Sequence, residues 1–168
     1  RSEQTFGAAH GMRDFAVISI GHGLGSCFFS NGLVHLGNDS FAGEVGHSCF
    51  IYNGRLCGCG KRVCLETYCA ANGIVKTAKE VMEERSEPSM MREVETLSPK
   101  IIQSFCELGD VLAIETFRRT GYWLGMGLAN YASILNPEAF IFTGGIAQAG
   151  KWLFEPANEA FEEHVFQD

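Results

Sequence analysis

One short stretch of the sequence concentrates side chains that bind metal ions. Cys57, Cys59 and Cys64 supply three thiols within eight residues, and His47 lies ten residues before the first of them. Thiolate and imidazole are the ligands that tetrahedral Zn²⁺ prefers, and four such ligands close a structural site. The pattern predicts a zinc-binding loop. Because the spacing differs from that of common zinc fingers, reduced loop cysteines beside a surface histidine are the alternative interpretation.

The other cysteines of the chain fit the predicted metal site less well. Cys69 follows Cys64 by five residues in a predicted helix, which turns it about 140° around the axis and towards the core. Cys49 lies near the cluster, and Cys27 and Cys106 are interpreted as buried apolar residues. Seven cysteines are an odd and clustered set in a chain without an apolar signal segment. They favour reduced thiols, a metal and a cytoplasmic location.

Two carboxylates flank the predicted metal ligands. Glu44 precedes His47 by three residues, and Glu66 follows Cys64 by two. An ion held by both His47 and Cys64 brings the two carboxylates near each other. A fixed pair of acceptors suits the hydroxyl groups of a sugar, because a ligand lacking a hydroxyl leaves a buried acceptor unpaired. Alternatively, Glu66 is a favourable acid in the first turn of a helix and Glu44 is a loop residue.

Glycines follow two predicted strands. The run Gly21-His22-Gly23-Leu24-Gly25 comes after the apolar stretch 15–20, and Gly144-Gly145 comes after the stretch 139–143. Successive backbone N–H groups in such turns can hold a phosphate, and a missing side chain lets a nucleotide approach the backbone. Glycine-rich turns without any ligand are the alternative interpretation.

Apolar runs and turn residues predict a mixed α/β fold with helices flanking the sheet. Strands are expected at 15–20, 27–30, 33–36 and 139–143, with a hairpin turn at Asn31-Gly32. Helices are expected from Cys64 to about Ser86, from Ser98 to Gly109, from Asp110 to about Leu135 and from about Lys151. Glycines at 121, 125 and 127 in the third helix predict close approach of a neighbouring backbone.

Composition limits the function classes. The 168 residues carry a net charge of −7 and no run of Lys or Arg, so we expect no nucleic-acid surface in this segment. No apolar stretch approaches the roughly 20 residues of a membrane span, and we expect no membrane partner. The length fits one domain or one lobe. Because the sequence opens at Arg1 without a methionine, we expect the C-terminal part of a longer protein.

Taken together, these motifs resemble those of the ROK family (repressor, open reading frame, kinase). The similarity extends over nearly the whole chain, and the order of its motifs is highly specific. It is strongest to glucokinase-like sugar kinases. The matching segments are Phe6-Gly-Ala-Ala9, Gly43-Glu-Val-Gly-His47, Cys57-x-Cys59-Gly60, Cys64-Leu-Glu-Thr-Tyr-Cys69, Asn136-Pro-Glu138 and Gly144-Gly145.

The resemblance implies that residues 1–168 are the C-terminal lobe of a two-lobed, actin-like (ribonuclease H-like) ATPase fold. It implies phosphorylation of a hexose by ATP with Mg²⁺, and a homodimer. The catalytic base, an Asp, is expected upstream of residue 1, so the chain alone is expected to be inactive. The implied roles are structural zinc for His47, Cys57, Cys59 and Cys64, the hexose for Glu44, His47 and Glu66, and the nucleotide for Gly21, His22, Gly23, Gly25, Gly144 and Gly145.

The sequence departs from the kinase pattern of the family at three positions. His22 stands where kinases usually have Thr and sugar-responsive repressors tend to have His. Ser26 and Val63 each stand where a Gly is common. Three functions are therefore open: a hexose kinase, a sugar-sensing transcriptional regulator with its DNA-binding domain upstream, and a kinase-like protein that binds sugar without turnover.

Overall fold

A mixed four-stranded sheet forms one layer of the fold in the computed structural model, which describes residues 11–166. The strands are β1 (Phe15–Ile20), β2 (Leu24–Ser30), β3 (Leu33–Val34) and β4 (Phe140–Thr143). Their order is β3-β2-β1-β4. β1 pairs antiparallel with β2 and parallel with β4, so the predicted mixed sheet is confirmed. The segment Phe6–Ala9, named in the family resemblance, lies outside the described residues.

The first hairpin differs from its prediction at one end. Strand β2 begins at Leu24, three residues earlier than expected, because Leu24 pairs with Ile20 and leaves only Gly21-His22-Gly23 as the connection. Gly25 is therefore a strand residue. At the other end, Asn31 and Gly32 have φ values of 52° and 77°, as a type I′ turn requires.

The described residues form five α-helices, which share one hydrophobic core with the sheet. They are α1 (Glu66–Cys69), α2 (Ala71–Glu84), α3 (Pro99–Glu107), α4 (Val111–Leu135) and α5 (Lys151–His164). The predicted start of α4 is confirmed, since the Asp110 carboxylate accepts the N–H groups of Leu112 and Ala113, both at 3.1 Å. Within residues 11–166, no helix has the length and apolar character needed to cross a membrane.

One continuous helix after Cys64 is a wrong prediction. The chain leaves helical geometry at Ala70, whose ψ is 176°, and α2 then starts at Ala71. The N–H of Ala71 donates to the carbonyl of Gly21 at 2.9 Å, in place of the helical acceptor Thr67. A contact from a distant loop therefore ends α1 after one turn. The local sequence around Ala70 does not predict this break.

The pairing of α4 with α5 confirms the close approach predicted from glycines. A Cβ added at Gly121 or Gly125 would overlap the carbonyl oxygens of Leu153 or Ala157 of α5. Gly127 instead makes room for the side chain of Leu65. The two helices thus pack backbone to backbone, and α4 also contacts Val45 through Tyr131 and Leu65 through Gly127.

Candidate functional site

A single turn of 3-10 helix, Val45–His47, carries the predicted histidine ligand. Two elements fix this turn. From α4, the hydroxyl of Tyr131 donates to the carbonyl of Val45 at 2.9 Å and also contacts the hydroxyl of Ser48. From β2, the hydroxyl of Ser26 donates to the carbonyl of Gly43. The turn is therefore clamped at both ends, and Ser26, which departs from the kinase pattern, takes part in the clamp.

The four predicted metal ligands converge. The ligand atoms of His47, Cys57, Cys59 and Cys64 all lie within 4.8 Å of one another. Cys59 Sγ lies 3.5 Å from Cys64 Sγ, and Cys57 Sγ lies 3.7 Å from His47 Nδ1. Tetrahedral zinc with Zn–S bonds near 2.3 Å spaces its sulfur ligands by about 3.8 Å. The donor set and its spacing therefore fit a zinc ion.

The other four cysteines of the chain lie outside this cluster. Cys57 and Cys64 are buried, whereas Cys59 is exposed at the rim of the cluster. Cys69 is buried among apolar residues of the core, as predicted, and Cys106 is buried as well. Cys27 is only partly buried, and Cys49 is exposed outside the cluster.

The pKa values of two thiols in the cluster are shifted in opposite directions. A hydrogen bond from the backbone of Lys61, together with the neighbouring thiols and His47, lowers the pKa of Cys59 to about 7. Burial, followed by the neighbouring thiols, raises the pKa of Cys64 to about 12. A bound cation deprotonates a coordinating thiol outright. A cation bound by these thiols would therefore oppose the rise in the pKa of Cys64.

His47 lies between the thiol cluster and a carboxylate. Its Nδ1 faces Cys57, and its Nε2 lies 3.8 Å from Glu66 Oε2. Glu66 Oε2 also accepts the backbone N–H of Leu24 at 3.1 Å. Gly46 belongs to this packing, because a Cβ there would overlap the carbonyl oxygen of Leu24 and come within 3.2 Å of Glu66 Oε2. The second ring nitrogen of His47 is thus fixed towards the predicted sugar carboxylate.

Glu44 is placed differently from Glu66. It is the residue directly before the turn Val45–His47, and its side chain is exposed. Within the described part of the chain its carboxylate has no hydrogen-bond or ion-pair partner. The Glu66 carboxylate is therefore held by the N–H of Leu24 and lies beside His47, whereas the Glu44 carboxylate has no such support among residues 11–166.

The two glycine turns meet at one cavity. Gly21, His22 and Gly145 line a cavity of about 640 Å³ together with residues of α3, including Lys100 and Gln103. Gly23, Gly25 and Gly144 are not among its lining residues in the described chain. Gly144 has a structural reason to be glycine, since its φ is +92° and a Cβ would overlap the carbonyl oxygen of Ile20.

His22 stands between this cavity and the carboxylate. It also lines a smaller cavity of about 150 Å³, together with Arg55, Cys57 and Glu66. The imidazole is exposed. One residue of the predicted phosphate loop therefore borders both the glycine-lined cavity and the cavity that contains Glu66.

Sequence reasoning missed three residues that hold this site together. Tyr131 and Ser26 clamp the histidine turn, and Arg55 lines the smaller cavity. A charged residue two positions before Cys57 was a usable signal for Arg55, but nothing local distinguishes Tyr131 from other aromatic residues on an amphipathic helix. Its partner is 86 residues away in sequence.

Comparison with known proteins gives concordant results. The sequence profile of the ROK family matches residues 1–168. A glucokinase of Halalkalibacterium halodurans is 34% identical over 163 residues, which are 95% of this chain and 49% of that enzyme. The xylose repressor of Bacillus subtilis is 29% identical over 164 residues, which are 98% of this chain and 40% of the repressor.

A solved structure extends the likeness to the fold. The ROK family glucokinase from Streptomyces griseus, crystallised with glucose and AMPPNP, matches with a TM-score of 0.90 and 31% identity. The match covers 99% of this chain and 55% of that one. The chain thus spans about half the length of the glucokinases it resembles.

Proposed function

This chain belongs to the ROK family, and we propose that it is the C-terminal lobe of a homodimeric, ATP-dependent hexose kinase. In this proposal His47, Cys57, Cys59 and Cys64 hold a structural zinc ion. Glu44, His47 and Glu66 bind the hexose. The turns containing Gly21, His22, Gly23 and Gly25, and Gly144 and Gly145, bind the nucleotide.

The observation that carries the proposal is the position of His47. One of its ring nitrogens faces the thiol cluster, and the other lies 3.8 Å from the Glu66 carboxylate. A zinc ion held by His47 and the three thiols would fix the imidazole ring, so that its Nε2 and Glu66 offer hydrogen-bonding atoms with a defined separation. Preorganised polar groups of this kind select a ligand by its hydroxyl pattern. The glucose-bound relative supports a hexose as that ligand.

The adjoining cavities support phosphoryl transfer. His22 borders both the cavity next to Glu66 and the larger cavity lined by Gly21 and Gly145. A nucleotide in the larger cavity and a hexose beside Glu66 would meet at this residue. ATP with Mg²⁺ supplies the phosphoryl group, and a carboxylate base accepts the hydroxyl proton. We place that base, an Asp, outside this chain.

A sugar-responsive transcriptional regulator is the second candidate. It is favoured by the xylose repressor of Bacillus subtilis, which aligns with 98% of this chain. His22 favours it too, because an imidazole replaces the hydroxyl ligand that kinases carry in the phosphate loop. In that case the same carboxylate site binds sugar, and a DNA-binding domain precedes this chain.

A coupled assay of ADP release tests the proposal. The complete two-lobed protein is incubated with MgATP and a panel of hexoses, and sugar binding is measured in parallel by calorimetry. A kinase releases ADP with at least one hexose. Saturable sugar binding without ADP release supports the regulator instead, and absence of binding to every sugar contradicts both functions. Zinc analysis of the purified protein should give about one ion per chain.

A further inference from the structure

Arg55 is a buried cation just before the cysteine loop, residues 57–64. Only 8% of its surface is exposed, although it lies two residues before Cys57. A buried guanidinium is unfavourable unless acceptors surround it. This one has four: the carbonyls of Thr67 and Gly73, the hydroxyl of Thr77 and the carboxylate of Glu80, at 2.8–3.2 Å.

The Arg55 acceptors lie on both sides of the break between α1 and α2: Thr67 belongs to α1, and the other three belong to α2. In a continuous helix, the Thr67 carbonyl would accept the N–H of Ala71. That N–H donates instead to Gly21 in the glycine turn after β1, at 2.9 Å. Arg55 Nη1 donates to the freed carbonyl of Thr67 at 2.9 Å. The arginine thus replaces the helical hydrogen bond that the break removes.

Aromatic rings hold the same guanidinium from the side. Its central carbon lies 4.5 Å from the ring centre of Tyr68 and 5.3 Å from that of Trp123. The backbone N–H of Arg55 also donates to the Tyr68 hydroxyl at 3.2 Å. Both the main chain and the side chain of Arg55 are therefore fixed to the helices that carry Glu66 and the core.

These contacts connect three predicted sites. Arg55 is two residues from a metal ligand, bonds the residue that follows Glu66, and compensates for the hydrogen bond that ties Ala71 to Gly21. We propose that Arg55 is a positioning residue that fixes where the cysteine loop lies relative to Glu66. It does so by capping the helix break rather than by contributing charge to the ligand. This inference rests on the proposed metal and sugar sites.

Substitution of Arg55 in the complete protein tests the inference. Arg55→Met keeps the aliphatic stem but has no donors, and Arg55→Lys keeps the charge but concentrates its donors on one nitrogen. Two readouts are used: glucose affinity by calorimetry, and the visible spectrum and affinity of Co²⁺ in place of zinc. We expect both variants to lose about tenfold or more in glucose and metal affinity, with an altered cobalt spectrum.

Two matched controls separate positioning from general stability. Arg62 is an exposed arginine of the same loop, and Arg62→Met should leave both readouts unchanged. Glu80→Gln removes the ion pair with Arg55 but leaves the Thr67 contact. It should lower the melting temperature while leaving glucose affinity and the cobalt spectrum as in the wild type.

Several results would overturn the inference. These are wild-type readouts in Arg55→Met, full rescue by Arg55→Lys, or a Glu80→Gln variant that loses ligand affinity as much as Arg55→Met does. If Arg55→Met does not fold, Arg55→Lys carries the comparison. Failure of the wild-type protein to bind glucose contradicts the proposed function instead, and the cobalt readout still decides the role of Arg55.

Discussion

The pair α4–α5 and the segment 43–66 are held together by different physical means. In the helix pair, Gly121 and Gly125 bring backbone against backbone, and no side chain can be added without overlap. In the site segment, hydroxyl groups, thiols and one guanidinium hold turns that have little regular structure. The packing of the helix pair depends on glycines, which have no side chain. The structure of the site segment depends on hydrogen-bond donors and acceptors.

This contrast separates stability from function. Closely packed backbone atoms cannot move apart to accept a larger side chain. A substitution that adds volume there therefore destabilises the whole fold. Polar contacts can be lost one at a time while the core survives. We therefore expect substitutions in the helix pair to unfold the protein, and substitutions in the site segment to change ligand affinity first.

The largest effect is expected from Gly125→Val. Its Cβ would overlap the carbonyl oxygen of Ala157, and a backbone atom cannot move aside as a flexible side chain can. We expect a loss of about 3 kcal/mol or more in the free energy of unfolding, measured with urea. Gly58→Ala, in the cysteine loop, has no atom within 4 Å of the new Cβ and should change little. Equal losses at the two glycines would contradict the contrast between the regions.

Metal removal should act on the site segment alone. At a free zinc concentration about 100 times the dissociation constant, binding contributes roughly 2.7 kcal/mol of stability, which chelation removes. Hydrogen exchange should rise in residues 44–66 and stay slow in α4 and α5. Cys57→Ser should abolish the response to zinc, whereas Cys49→Ser, an exposed cysteine outside the cluster, should keep it. Loosening of α4 and α5 to the same extent would show that the two regions are not independent.

A smaller and purely functional effect is expected from Glu66→Gln. The amide oxygen still accepts the N–H of Leu24, so the fold is retained. A hydrogen bond to a charged group is worth about 2 kcal/mol, which corresponds to roughly a 30-fold loss of hexose affinity. Calorimetry with glucose measures it, and Glu95→Gln at an exposed position is the control. Unchanged hexose affinity would remove Glu66 from the site.

The smallest effect is a pH dependence of the scaffold. A hydrogen bond from Arg119 of α4 lowers the pKa of Glu84 at the end of α2 below its ordinary value of 4.5. Because the folded-state pKa is depressed, the pair stabilises the protein above pH 4.5 and is lost as the pH falls through the folded-state value. Glu84→Gln should therefore lower the melting temperature slightly at neutral pH and not in strong acid. The neighbouring exposed variant Glu83→Gln should show no such difference.

Local sequence predicted the regular elements and the ligand set. Apolar runs and turn residues such as Asn31 and Gly32 determine structure within a few positions of themselves. For that reason β1, the hairpin turn and the start of α4 were predicted correctly. Ligand types and loop spacing likewise predicted the convergence of the thiols with His47. The break at Ala70 was missed, because its cause is a hydrogen bond between Ala71 and Gly21, 50 positions apart in the sequence.

The sequence by itself therefore determined which side chains are available: thiols and an imidazole that suit a metal ion, carboxylates that accept hydrogen bonds, and glycine turns beside strands. Only the tertiary structure decided which of these groups contact each other. It placed Glu66 beside His47 and on the N–H of Leu24, and it left Glu44 exposed. It also brought the Arg55 side chain to the carbonyl of Thr67 in α1. The physical reason is distance along the chain. Side-chain type is a local property, whereas the partner that satisfies a buried donor is chosen by the packing of remote segments.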